Sequence, residues 1–189
     1  MKLSLSARIR RAVVLGVTIA AAAIGTAVAA APAQALGPGT VCMFNAPSGA
    51  DVGVGKLGHV GWAFREGGTT NWLFGATESP TFNWRDHGDQ NTMFNTFRGQ
   101  RGHGIAQHYY TQWRCKDTPG SSVGAASAKV DQLYRQQYNG LFDNCLTRTV
   151  AIFKAYDGSL NGLASGAATG PNFYFDHLDG AGFGPKHPL

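Results

Sequence analysis

Cys145 lies in a sequence context that is typical of a reactive thiol. It follows Asp143 and Asn144 and begins a run that is predicted to be helical. Because Asn or Asp just before a helix is a preferred N-cap, Cys145 is expected in the first helical turn. There the unpaired backbone N–H groups and the helix dipole favour a negative charge, which lowers the pKa of a thiol. The pattern indicates a cysteine nucleophile.

His59 is the candidate base for this thiol. It lies in the segment 57–65, whose alternation of residue types is typical of a strand. One face carries Val60, Trp62 and Phe64, and the other carries His59, Gly61 and Ala63. The small residues beside the histidine are expected to leave room for a substrate. A cysteine paired with a histidine base is the arrangement of a thiol hydrolase.

Glu78 is the candidate partner that orients the histidine. If residues 67–70 form a four-residue loop, Glu66 pairs with Asn71 and His59 faces Glu78. A carboxylate in that place would hold the imidazole tautomer and stabilise the imidazolium. A slip of one residue would reverse the faces of the second strand. The alternatives are Thr77 after such a slip, Asn71, His87 or His103 as the partner, and His177 as the base.

The elements that would position these residues follow an α+β order, with a hairpin first and helices later. Strands are predicted near 41–44, 57–65 and 71–77, with further strands in 79–120, one of them around 104–113. Helices are predicted over 125–138 and 144–156, and the tail from residue 158 is expected to be mostly loop. The expected architecture is an antiparallel sheet with helices packed against it.

The first 35 residues are predicted to be a signal peptide. The apolar, alanine-rich run 12–31 follows a basic segment, and Ala33-Gln34-Ala35 is a small-x-small cleavage site. The basic residues are Lys2, Arg8, Arg10 and Arg11. Cleavage after Ala35 would leave one secreted α+β domain, residues 36–189, with a loop-rich tail and no stable membrane anchor.

The net charge of the chain resides mostly in this leader. The whole sequence has 16 basic and 11 acidic residues, and four of the basic ones precede the cleavage point, which leaves 12 against 11. Nucleic-acid-binding domains usually carry a basic face or stripe, and the sequence of the mature part shows none. The expected protein is a secreted monomer that does not bind nucleic acid.

The three cysteines all lie in the predicted mature chain. Export leads to an oxidising compartment, and an odd number leaves at least one thiol unpaired. The pairing that suits the proposed site is Cys42 with Cys115, with Cys145 free. A different pair, or three buried thiols, are the alternatives that the spacing leaves open.

No cofactor and no metal site are predicted. The segment Gly53-Val54-Gly55-Lys56 precedes Leu57 rather than Ser or Thr, and a strand follows, so it is not a phosphate-binding loop. His103 and His108 are five residues apart, a spacing that does not stack them on one helix face. No cysteine or acidic cluster adjoins them in the sequence.

The segment Gly58-His59-Val60-Gly61, followed much later by Tyr138, Asn144 and Cys145, resembles the circularly permuted branch of the NlpC/P60 superfamily. That papain-like branch includes proteins related to lecithin retinol acyltransferase, and the whole chain looks like a secreted protein of actinobacterial type. The resemblance implies that His59 is the base and Cys145 the nucleophile. The branch has a second histidine as the third residue; here the corresponding strand has none, so Glu78 or another group is expected to serve.

These features together predict a cysteine-dependent hydrolase or acyltransferase that acts on an amide of a cell-wall peptide or on an ester. Because an exported enzyme of this kind meets cell-wall peptides first, a peptide amide is the preferred substrate. The alternative is a non-enzymatic secreted binding protein on the same fold. In that alternative Cys145 would be packed away, with no pocket joining it to His59.

Overall fold

Strands dominate the first two thirds of the described chain, and helices the last third. The computed structural model describes residues 38–50, 55–79, 81–99, 110–140 and 142–189, so the predicted signal peptide lies outside the described residues. The strands are β1 (Gly39–Ala46), β2 (His59–Arg65), β3 (Trp72–Ser79), β4 (Phe82–Gly88), β5 (Gln112–Thr118) and β6 (His187–Pro188). The helices are α1 (Gln90–Phe97), α2 (Val123–Tyr134), α3 (Cys145–Tyr156) and α4 (Pro171–Asp176), with short 3₁₀ helices at Gly158–Leu160 and Leu178–Ala181. All described residues belong to one compact unit.

The six strands form one sheet in the order β4-β3-β2-β1-β5-β6, and every neighbouring pair is antiparallel. In the β2–β3 hairpin Gly61 lies opposite Ala76 and Arg65 lies opposite Trp72. The Glu66 N–H donates to the Asn71 carbonyl oxygen over 2.9 Å and closes the loop 67–70. The predicted loop and register are therefore confirmed, as is the α+β class.

Both faces of the sheet are buried, because the apolar side chains of the central strands point alternately to opposite sides. On one face Val41, Val60 and Trp62 pack with residues of α2, α3 and α4. On the other face Phe44, Ala63, Phe74 and Trp84 pack with Met93 and Phe97 of α1 and with Tyr110. The predicted packing of helices against an antiparallel sheet is confirmed.

The structure adds helices to two parts of the chain for which the sequence predicted none. The segment 79–120 contains the further strands that were predicted, β4 and β5, but residues 90–97 between them form α1, which begins at an N-cap where Asp89 accepts from the Thr92 N–H. β5 starts at Gln112, and residues 100–109 lie outside the described part of the chain. The tail from residue 158 is mostly irregular, as predicted, but it includes α4, which starts with a proline at its first turn, a position that suits proline, and buries Phe175. None of the helices in the described residues has the length and apolar character that a bilayer crossing requires.

The disulfide joins Cys42 and Cys115, and Cys145 remains a free thiol. The two bridged residues lie directly opposite one another on β1 and β5. The predicted pairing is confirmed, and such a bridge fits a chain that is exported to an oxidising compartment.

Candidate active site

The start of α3 places Cys145 at the first helical position. Asn144 has an extended backbone, and its side chain accepts from the N–H groups of Leu146 and Thr147. The Thr147 hydroxyl in turn accepts from the Asn144 N–H over 2.8 Å, which completes a capping box. The predicted N-cap is confirmed. The N–H of Cys145 takes no part in the capping box, so it can donate to another acceptor.

Arg148 holds the loop that leads into α3. Its guanidinium forms a bidentate ion pair with Asp143 (Nε–Oδ1 2.6 Å and Nη2–Oδ2 2.8 Å) and donates to the Gln136 carbonyl oxygen over 3.0 Å. It also lies over the ring of Tyr138, 5.4 Å from the ring centroid. Only 2% of Arg148 is exposed. A buried bidentate pair of this kind fixes the direction of the loop, and with it the position of the cysteine.

His59 is the first residue of β2 and is fully enclosed. Its Nε2 lies 3.0 Å from Oε2 of Glu78, and neither side chain is open to solvent. The same imidazole hydrogen-bonds the Cys145 sulfur. Because Nε2 faces the carboxylate, Nδ1 is the ring nitrogen left for the sulfur. The structure therefore brings the three predicted site residues together.

Gly58 shapes the approach to His59. Its φ is +84°, a left-handed conformation that suits glycine, and a Cβ added there would lie 2.1 Å from Oδ1 of Asn172. The side chain of Asn172 in α4 donates to the carbonyl oxygens of Pro47 and Lys56. The glycine thus lets α4 lie against the chain just before the histidine.

A β-bulge presents Glu78 to His59. The β3–β4 pairing passes from Thr77–Asn83 to Ser79–Phe82, which makes Glu78 the extra residue on β3. Bulges of this type redirect side chains and occur next to active sites. The second carboxylate oxygen, Oε1, accepts from Trp84 Nε1 over 2.7 Å and from the Tyr110 hydroxyl over 3.0 Å. Two hydrogen-bond donors and the imidazole of His59 therefore surround a carboxylate that no solvent reaches.

The pKa values of the cysteine and the histidine move in opposite directions. Burial raises the pKa of the Cys145 thiol, but the charge of His59, its hydrogen bond and a hydrogen bond from the Val60 backbone lower the pKa below its usual 9.0. Burial lowers the pKa of His59, but its contacts with Cys145 and Glu78 outweigh burial and raise the pKa from 6.5 to about 10. The two shifts favour a thiolate–imidazolium pair at neutral pH.

Tyr138 faces the backbone of the cysteine. Burial and the negative charge of Cys145 raise the pKa of its phenol to about 12, while a hydrogen bond from the Cys145 N–H opposes that rise. The hydroxyl of Tyr138 and the N–H of Cys145 therefore occupy the same small volume next to the sulfur. An oxyanion formed at Cys145 would find both groups there.

A cleft of about 400 Å³ opens beside Cys145. Its walls come from three separate parts of the chain: Leu57 and Gly58 before β2, Tyr138 and Asn144 before α3, and residues 168–171 before α4. Cys145 is part of the lining of this cleft, and His59 is not. Only 4% of Cys145 and 2% of His59 are exposed. The thiol is therefore nearly buried, and Cys145 adjoins the cleft.

The space beside Gly61 does not receive a substrate, contrary to the expectation from sequence. A Cβ added to Gly61 would lie 2.5 Å from the ring of Phe97 in α1, and Ala63 is part of the buried core on that face. The small residues of β2 let α1 approach the sheet closely. The cleft lies elsewhere, between the start of β2 and the start of α4.

Three of the alternative residues, Asn71, His87 and His177, lie in the described part of the chain, and they are not at the site. Asn71 lies in the exposed hairpin loop, and the side chain of His87 on β4 is 86% exposed. The ring of His177 is exposed, and its Nδ1 lies 2.7 Å from the Phe173 carbonyl oxygen. His103, like His108, lies outside the described residues. Within the described residues, no group of three or more His, Cys, Asp or Glu side chains could hold a metal ion.

Sequence reasoning missed Trp84, Tyr110 and Arg148. Trp84 and Tyr110 are 6 and 32 residues from Glu78, and no local pattern connects them to it. Arg148 carries a weak signal, since an acidic residue lies five positions earlier, at the predicted start of its helix.

No protein-family model, no curated protein and no solved structure matches this chain.

Proposed function

We propose that this chain is a secreted cysteine-dependent hydrolase or acyltransferase, with Cys145 as nucleophile, His59 as base and Glu78 as the residue that orients His59. The observation that carries the proposal is that one buried imidazole contacts both the Cys145 sulfur and the Glu78 carboxylate. In covalent acyl-transfer catalysis the nucleophile generally contacts a base, and the base contacts a group that orients it.

The reaction would begin with the thiolate of Cys145. The sulfur attacks the carbonyl carbon of an amide or ester, and the carbonyl electrons move to the oxygen. When the tetrahedral intermediate collapses, the bond to the leaving group breaks and the imidazolium of His59 gives that group a proton. Neutral His59 then takes a proton from water or another acceptor, which attacks the thioester and releases the acyl group.

The groups around the sulfur suit this sequence of steps. The N–H of Cys145, at the start of α3, would donate to the oxyanion in place of the Tyr138 hydroxyl, and the helix dipole also favours a negative charge there. Glu78 keeps Nε2 of His59 engaged, so that Nδ1 serves the sulfur. Trp84 and Tyr110 hold the other carboxylate oxygen and keep Glu78 in its place.

A papain-like fold of the permuted NlpC/P60 type is part of this proposal. The order of the elements supports it, since the histidine strand β2 precedes the cysteine helix α3 along the chain. The site departs from that pattern at its third position, where Glu78 stands for the second histidine. A carboxylate can take this role because it too accepts a hydrogen bond from the imidazole.

The preferred substrate is an amide of a cell-wall peptide, and an ester is the second choice. The disulfide between Cys42 and Cys115 supports export, after which the bacterial wall would be the first polymer that the enzyme meets. The site residues are those of acyl transfer, which is common to both substrates.

Alkylation of the native protein tests the proposal directly. Because the other two cysteines form the disulfide, iodoacetamide can label only Cys145 in the folded protein. Mass spectrometry of the native and the denatured protein is expected to show labelling at Cys145 in both, and Cys145→Ser is expected to abolish it. Labelling that appears only after denaturation would show that the thiol is not reactive.

A binding protein on the same fold is the second candidate. The low exposure of Cys145 (4%) and His59 (2%) favours it, because a packed cysteine commonly serves as a small apolar residue. The two candidates differ in the alkylation experiment, since the binding protein would resist the reagent until it unfolds.

A further inference from the structure

A second cleft lies next to the cleft of Cys145. It has a volume of about 380 Å³ and is lined by residues between 162 and 181, and we refer to it as the C-terminal cleft. Its floor includes the buried side chains of Leu163, Tyr174 and Leu178, and Phe173 lies on its rim with 63% of its surface exposed. The resemblance to a known family does not extend to this part of the chain.

The two clefts adjoin at Thr169, which lines both of them. The helix α4 connects them as well, because Pro171 at its start lines the cleft of Cys145 and Phe173 and Tyr174 line the C-terminal cleft. Asn172 between them donates to Pro47 and Lys56, and its own N–H donates to the Leu57 carbonyl oxygen. The wall that the two clefts share is therefore fixed to the chain beside His59.

The described residues that line the two clefts include no Asp, Glu, Lys or Arg. Three large hydrophobic side chains of the described residues are exposed: Leu57 (44%), Phe142 (68%) and Phe173 (63%). Two of them, Leu57 and Phe173, line the clefts. An apolar cleft with a few polar groups beside a reactive residue is typical of a site for a small, mostly apolar ligand group.

We propose that the two clefts form one substrate-binding groove, in which the C-terminal cleft takes an uncharged, apolar group of the substrate whose carbonyl carbon lies at Cys145. This inference rests on the proposed function, because it extends the cleft of the nucleophile. It narrows the substrate to a compound that carries an aliphatic or aromatic group near the scissile bond, with no charge on that group.

A set of alkylating reagents tests this without any need for the natural substrate. Iodoacetamide, N-(4-phenylbutyl)iodoacetamide and iodoacetylglycine all react with a thiolate by forming a C–S bond and releasing iodide. They differ only in the substituent on the amide nitrogen. Iodoacetamide has none, the phenylbutyl reagent has an apolar one, and iodoacetylglycine has a negatively charged one. The second-order rate of labelling at Cys145 is measured by mass spectrometry and divided by the rate of the same reagent with glutathione.

The phenylbutyl reagent is expected to react at least about tenfold faster than iodoacetamide after this correction, since burial of a few methylene groups accounts for a factor of that size. Iodoacetylglycine is expected to be the slowest of the three. Phe173→Ser should remove most of the preference for the phenylbutyl reagent over iodoacetamide, and Phe173→Leu should retain that preference.

Phe142→Ser is the matched control, because Phe142 is as exposed as Phe173 and lines neither cleft. Equal corrected rates for the three reagents would overturn the inference and leave the reactive thiol intact. A preference that Phe142→Ser removes and Phe173→Ser retains would overturn it as well. If no reagent labels the native protein, the proposed function fails, and the inference fails with it.

Discussion

His59 contacts a negatively charged group on each side of its ring. Nε2 lies 3.0 Å from Glu78, and the cysteine thiolate shares a hydrogen bond with the same imidazole. A buried charge is stable only where partners surround it, and Glu78 has Trp84 and Tyr110 in addition to the histidine. The low pKa of Cys145 and the high pKa of His59 thus have a common origin, the positive charge of one imidazole between two acids.

Replacement of His59 should therefore raise the pKa of Cys145. In His59→Gln, burial and the negative charge of Glu78 act on the thiol without the opposing positive charge, so its pKa moves above 9.0 instead of below it. Because one pKa unit changes the thiolate fraction tenfold, alkylation at pH 7 is expected to fall by roughly tenfold or more. The rate of iodoacetamide labelling as a function of pH measures this shift.

The control for this experiment is His87→Gln, because the side chain of His87 is 86% exposed and lies on β4, away from the thiol. Its labelling profile should coincide with that of the unmodified protein. Identical profiles for all three proteins would mean that His59 does not control the ionisation of Cys145.

The elements of the site serve different purposes. The hairpin of β2 and β3 aligns His59 with Glu78, and the bulge in β3 turns the carboxylate toward the imidazole. The capping box at the start of α3 gives the cysteine its place at the end of the helix dipole. Residues of α3 and β2 pack in the same apolar core. This packing brings the thiol at the start of α3 next to the imidazole at the start of β2.

At this scale the cap of α3 is the feature to test. Asn144→Ala removes the acceptor for two backbone N–H groups and is expected to lower the free energy of unfolding by about 1 kcal/mol. Ser122→Ala at the start of α2 is the matched control, because the Ser122 side chain makes no capping hydrogen bond. Urea denaturation followed by circular dichroism compares the two variants.

A loss of stability that is equal in Asn144→Ala and Ser122→Ala would contradict the role of the capping box. A difference of about 1 kcal/mol between them would support it, and would separate the cap from a general effect of substitution at a helix start.

At the scale of the whole molecule, the thiol of Cys145 and the disulfide belong to different cores, although Trp84 and Tyr110, which hold Glu78, share the core of the disulfide. Cys42 belongs to the core that faces α1, whereas Cys145 belongs to the core that faces α2, α3 and α4. The bridge ties β1 to β5 and closes a long loop, since its two residues are 73 positions apart. Its contribution is therefore to the stability of the sheet rather than to the chemistry of the thiol.

Removal of the bridge is expected to destabilise the protein without changing the reactivity of Cys145. The double variant Cys42→Ala/Cys115→Ala should lose about 4 kcal/mol of unfolding free energy, as expected for a loop of this length. Below the unfolding transition, iodoacetamide should still label Cys145 at the rate of the unmodified protein. Chemical denaturation and labelling of the same samples measure the two effects.

Cys145→Ala is the control, because it removes a cysteine and leaves the bridge intact. If the double variant unfolded at the same denaturant concentration as the unmodified protein, the bridge would not stabilise the fold. A slower reaction of Cys145 in the folded double variant would mean that the sheet and the site are coupled.

The sequence by itself determined the features that depend on neighbouring residues. The alternation in 57–65 and the four-residue loop set the register that brings His59 opposite Glu78, because a strand has a period of two. The Asp-Asn pair before Cys145 predicted the helix start, since capping involves residues at most three positions apart. The spacing of the cysteines does not fix the pairing of Cys42 with Cys115, which the structure shows.

Only the tertiary structure decided the features that join distant parts of the chain. Trp84 and Tyr110 reach Glu78 from other segments, and Phe97 fills the space beside Gly61 that a substrate was expected to occupy. The groove combines residues that are more than 100 positions apart. Such contacts depend on how distant segments pack in three dimensions. They produce no periodic pattern of residues, so a single sequence does not predict them.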